Sequence, residues 1–134
     1  MQTQATSFKK ELYEAIHDLS TDVLKIALYT ANADLNESTT VYSTSNEVVG
    51  TGYVSGGVAM TGATINSSGY TAYVDFADVV FGAAVTARCA LIYNSSKANR
   101  AIAVLDFGSD KTSATFTITM PSNDANSALI RSSN

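Results

Sequence analysis

The side chains able to do chemistry are few, and their spacing limits them further. His17 is the only histidine and Cys89 the only cysteine. A general base or a Ser–His–Asp triad would have to run through His17, and no Gly-x-Ser-x-Gly elbow accompanies it. One cysteine can neither close an intrachain disulfide nor build a zinc site. Cys89 lies in the apolar run 87–93 and is expected as a small buried strand residue. Asp34-Leu35-Asn36-Glu37-Ser38 spaces oxygens at alternate positions, as a calcium loop does. Thr39 stands where that loop needs Gly, and Ser45 where it needs Glu. Gly50, Gly52 and Gly56 miss the dinucleotide spacing, because the third glycine falls four residues after the second. Asp106-Phe107-Gly108 spells the kinase metal triplet with nothing else of a kinase around it. Asp75 and Asp78 would need an aromatic-rimmed groove to work as a glycosidase pair, and the chain has no Trp. The expectation is no catalytic site, no cofactor and no metal.

Contact chemistry is the better prospect. Tyrosine couples a large apolar body to a polar tip and is enriched at interfaces. Of seven tyrosines, Tyr42, Tyr53, Tyr70, Tyr73 and Tyr93 fall in the β region and its loops. They are the candidate interface residues. Leu129 and Ile130, the only large apolar residues after Pro121, join them as candidate anchors.

The elements that must carry these residues read as mainly β. Phe8, Leu12, Ala15, Ile16 and Leu19 repeat as one face of an amphipathic helix, capped by Thr6 or Ser7 and ended by 20–22. His17 would sit on its edge, at the surface or a subunit boundary. Strands are expected at 23–30, 61–66, 70–76, 79–81, 85–93, 101–107 and 112–120, with turns at 66–69 and 108–111. The loop at 50–57, rich in glycine, reads as a lead into a bent strand. This pattern predicts a β-sandwich or small barrel of about 7–8 strands with one N-terminal helix. Residues 7–121 form the domain, 1–6 an extended N-terminal arm and 122–134 a C-terminal arm.

Composition narrows the partners. Charged residues are 15% of the chain, well below the usual share of about 25%. Sixteen Ser and sixteen Thr take their place, so a free monomer would have a poorly solubilising surface. The net charge of −4, with basic residues thinly spread, argues against nucleic-acid binding. No apolar run reaches the roughly 18 residues of a membrane span, and residues 1–7 do not resemble a signal peptide. No membrane partner is expected, and synthesis in a host cytoplasm is.

Four ordered blocks carry a resemblance: 52–57 (Gly-Tyr-Val-Ser-Gly-Gly), 72–78 (Ala-Tyr-Val-Asp-Phe-Ala-Asp), 86–95 (Thr-Ala-Arg-Cys-Ala-Leu-Ile-Tyr-Asn-Ser) and 101–108 (Ala-Ile-Ala-Val-Leu-Asp-Phe-Gly). With the helix and 22–29 before them, they resemble a family of small virion structural proteins of tailed bacteriophages. The resemblance spans roughly residues 7–121 and brings no site residue with it. Within that setting the leading expectation is a capsid decoration (cement) protein on the outer shell, bridging major capsid protein subunits, with a homotrimer as the expected self-assembly. The alternatives are a tail, neck or fibre-associated virion protein and, from another class, a weak carbohydrate-binding module using the tyrosines and Ser/Thr/Asn loops.

Overall fold

The computed structural model describes residues 2–133. Among them the chain is mainly β, with one short helix and ten strands in three open antiparallel sheets. The strands are β1 (Gln2–Gln4), β2 (Leu24–Tyr29), β3 (Val58–Ala59), β4 (Thr64–Ser68), β5 (Thr71–Asp75), β6 (Val79–Phe81), β7 (Val85–Asn94), β8 (Arg100–Ser113), β9 (Phe116–Ile118) and β10 (Ile130–Ser133); the helix, α1, is Thr6–Tyr13. The sheets run β1-β8-β7-β2-β3, β10-β5-β4 and β6-β9. None closes into a barrel.

The large sheet holds the core because its central strands are apolar on both faces. In β8, residues 101–105 are all buried, and so are 89–94 of the neighbouring β7. The β6–β9 ribbon adds Phe81 and Phe116, whose rings meet edge to face at 6.3 Å. The expected turn at 108–111 is instead an excursion inside β8. Cys89 pairs with Asp106 and Ala87 with Lys111, so four β8 residues stand opposite Arg88 alone. Gly108, at φ 80, takes the left-handed corner.

The helix is shorter than its periodicity predicts. It ends at Tyr13, and Ala15 turns the chain at φ 59. The Ile16 amide then returns to the Glu11 carbonyl at 3.0 Å. Phe8 and Leu19 do share the core, but Leu19 reaches it from the returning segment. Neither Thr6 nor Ser7 caps the helix. Ala5 is the N-cap, and the Thr6 amide donates to the Glu37 carbonyl at 2.8 Å.

Both expected arms are built into the fold. β1 pairs with β8, Gln2 opposite Leu105, and the Ala5 amide donates to the Ile102 carbonyl. β10 pairs with β5, Ile130 opposite Val74. Pro121 therefore does not end the folded region. Gln2 and Gln4 lend side-chain amides to the carbonyls of Ala128 and Arg131, so the two terminal strands also hold each other. Met1 and Asn134, the tips of those expected arms, lie outside the described residues.

Candidate functional site

The long connection from β2 to β3 folds around one buried carboxylate. Glu47 is 7% exposed. Its Oε1 accepts from the Tyr42 hydroxyl at 2.6 Å and the Ser55 hydroxyl at 3.1 Å. Its Oε2 accepts from the Tyr53 hydroxyl at 2.7 Å and the Gly56 amide at 2.9 Å. Four donors fill a carboxylate's acceptor capacity. No lone pair is left to take a proton from a substrate, so the arrangement acts as a clamp.

The clamp fastens the connection to the sheet edge. β3 covers β2 only at Lys25 and Ile26. Beyond that, the Leu28 amide donates to the Tyr53 hydroxyl at 2.9 Å, and the Leu28 carbonyl accepts from Val48. Tyr93, rising from β7, donates to the Gly56 carbonyl at 2.6 Å and stacks on Tyr42 at 4.6 Å. Tyr29 donates to the Ser43 carbonyl. Gly57 lets the loop lie this close: a Cβ there would sit 1.9 Å from the Ile26 carbonyl oxygen, at φ 81. Burial, then neighbouring Tyr42 and the Glu47 carboxylate, push Tyr93 up to about 12. Burial, with Glu47 adding to it, also raises Tyr29, Tyr42 and Tyr53.

Tyr42, Tyr53 and Tyr93 thus come together, but facing inward. Tyr70 and Tyr73 lie elsewhere, on the β4–β5 hairpin, where Tyr70 is 87% exposed. Leu129 and Ile130 are core residues at 2% and 5% exposure, so they are not free anchors for a partner. Glu47 and Tyr29 carry no motif that marks them in the sequence. The available signal was one acidic residue set against Val48-Val49 within a tyrosine-rich loop. What the clamped connection turns outward is valine: Val41, Val49 and Val54 are exposed, Val49 at 95%.

A second buried network ties the helix to the sheet. His17 lies with its side chain fully buried, not on a helix edge. The Asn94 side-chain oxygen Oδ1 accepts from the Ser96 amide, which turns its side-chain nitrogen Nδ2 toward His17 Nδ1 at 2.9 Å. Nδ1 is therefore the acceptor, and Nε2 donates to Glu11 at 2.8 Å. Arg100 takes the other Glu11 oxygen at 2.8 Å. Burial raises the Glu11 carboxyl, but the bonds from His17 and Arg100 outweigh it and hold it low. Burial likewise works on Asp22, where Asn94, the Asp18 amide and Lys97 prevail and bring it to about 2. No cluster of His, Cys, Asp or Glu among the described residues has the geometry of a metal site.

No family model, curated protein or solved structure matches the chain.

Proposed function

We propose that this chain is a structural protein of a tailed-bacteriophage virion, acting as a capsid decoration protein that bridges neighbouring major capsid subunits on the outer surface of the shell. The observation that carries the reading is the clamped connection. An interior of four tyrosines and a saturated carboxylate is spent on holding Val41, Val49 and Val54 out toward solvent. Fixed apolar side chains on a weakly charged surface suit burial by a partner. The phage setting rests on the resemblance of blocks 52–57, 72–78, 86–95 and 101–108 to small phage virion proteins. In this reading the chain transforms no substrate. Many copies would add modest contacts into avidity on a symmetric shell.

The test is the copy number in purified particles, measured by quantitative mass spectrometry, with Val49→Asp and Val54→Asp as variants. Hundreds of copies per particle, lost in the double variant while the purified variant keeps its fold, are expected. A ring-sized copy number would move the protein to the neck or tail. Absence from particles would end the virion reading.

A further inference from the structure

A sheet edge shows a row of unpaired N–H and C=O groups, and folded proteins cover, shorten or charge such rows. Nearly every edge here is handled in one of those ways. β1 and β10 are bridged to each other by Gln2 and Gln4. β2 beyond Ile26 is sealed by the clamped connection. β3, β6 and β9 are only two or three residues long. The projecting half of β8 carries Asp106, Asp110 and Lys111. β4 is the exception. It is five residues long and forms the edge of its sheet, and residues 61–70 are exposed throughout. No Asp, Glu, Lys or Arg occurs anywhere from 48 to 74.

We infer that β4 is a docking edge for a second copy of this chain, pairing antiparallel with the partner's β4 about a two-fold axis at Ile65. Three features argue for a second copy. The hairpin registers fix the first. Ser68 pairs with Thr71 across Gly69-Tyr70, and Gly69 at φ 60 supplies the first position of a II′ turn. Such a turn closes on a hydrogen-bonded pair, so alternate residues, Ile65 and Ser67, turn their backbone groups outward. Side-chain continuity is the second. Ile65, Val74 and Ile130 lie directly opposite one another across the three strands. Ile65 ends that row 52% exposed. With Ile65 on the axis, the row continues through the partner's identical three residues, and a six-stranded sheet gains one unbroken apolar stripe. A one-residue slip would put Asn66 against Ile65 and turn one copy over. Charge is the third. Two chains of net charge −4 repel at most surfaces, but not along an edge that has no charged side chain.

The pairing goes beyond the decoration reading and does not depend on it, since it needs no capsid. One strand pair buries less than the roughly 1,600 Å² of a standard interface. The association is therefore expected in about the micromolar range or weaker, gaining strength when copies are arrayed.

Sedimentation velocity of the full purified chain, from low micromolar to about 1 mM, tests it. A monomer–dimer equilibrium is expected. Ile65→Lys sets two ammonium groups face to face at the axis. Ser67→Pro removes an outward N–H that the hairpin does not use. Each should weaken association about tenfold or more. Circular dichroism of both variants shows whether the fold is kept. Ile65→Cys should give a disulfide-linked dimer on oxidation, since a hydrogen-bonded antiparallel pair places its Cα atoms about 5.5 Å apart. A wild-type chain that stays monomeric throughout overturns the inference. So does an assembly unchanged by both folded variants, as a trimer built on other surfaces would be. An Ile65→Cys chain that fails to cross-link overturns the axis position. Loss of the dimer with particle attachment intact, or the reverse, separates this inference from the decoration reading.

Discussion

Replacing Glu47 with alanine removes the one group on which the β2–β3 connection converges. The cost follows from which donors are stranded. The Tyr42 and Ser55 hydroxyls lie at half-exposed or exposed residues, so water replaces the carboxylate for them. The Gly56 amide is at a buried residue, and Tyr53 is half-buried beneath the loop. Each stranded donor costs about 1–3 kcal/mol, so two give about 2–6 kcal/mol. Unfolding entropy of about 2.1 cal/mol/K per residue converts 1 kcal/mol into about 3.5 °C for a chain this long. Glu47→Ala should therefore lower Tm by about 7–21 °C. Glu47→Gln keeps one acceptor oxygen for one pair of donors and should cost about half as much. Urea unfolding followed by tyrosine fluorescence suits a protein with seven Tyr and no Trp, and hydrogen exchange localises the effect. Amides of 46–57 should lose protection before those of β7 and β8 do. Tyr53→Phe should cost less in the Glu47→Ala background than in the wild type, because its partner is already gone. A Glu47→Ala protein within about 0.5 kcal/mol of wild type, with unchanged exchange in the loop, would refute the clamp.

The pH profile should fall off on both sides. Because the folded pKa of Tyr93 is raised to about 12, and those of Tyr29 and Tyr53 are also raised, their contribution is complete below the unfolded value of about 10. It is lost as pH climbs from there through about 12, as an alkaline urea series would show. Asp22 is the opposite case. Its folded pKa is lowered to about 2, so its contribution is present above the unfolded value of about 3.9 and lost as pH falls through about 2. Asp22→Asn should flatten that acid limb. Leu129→Ala should cost about 2–5 kcal/mol by chemical unfolding, as for any buried leucine. A surface anchor would cost almost nothing.

The parts of this fold that could be read from the sequence are those whose signal is local. β2, β7 and the first half of β8 are apolar runs of strand length, and the β4–β5 hairpin carries its turn glycine between two short strands. The helix stop was hidden because Ala15 adopts a left-handed turn with no glycine to announce it. The chain then re-enters the core in step with the helical repeat. β1 and β10 were hidden because polar strands earn their place through backbone pairing with partners far along the chain, Leu105 for Gln2 and Val74 for Ile130. Leu129 and Ile130 show the ambiguity most plainly. Two apolar residues in a polar tail serve equally well as an anchor for a neighbour or as part of the chain's own core, and composition does not distinguish the two.

The tyrosines pose the same question with a different answer. An amphipathic ring signals contact, and Tyr42, Tyr53 and Tyr93 do make contact, but with Glu47 and the loop backbone inside one chain. Their hydroxyls are consumed there, which leaves contact with other molecules to the residues they hold in place. The strands at both termini have a comparable effect at the sheet edges. By covering each other, they leave β4 as the one long edge without charge, paired to the strand that leads out of the exposed Tyr70 turn. The valine-bearing connection and the hairpin are thus two exposed surfaces suited to association. These are separate elements, so the two proposed contacts can be perturbed independently.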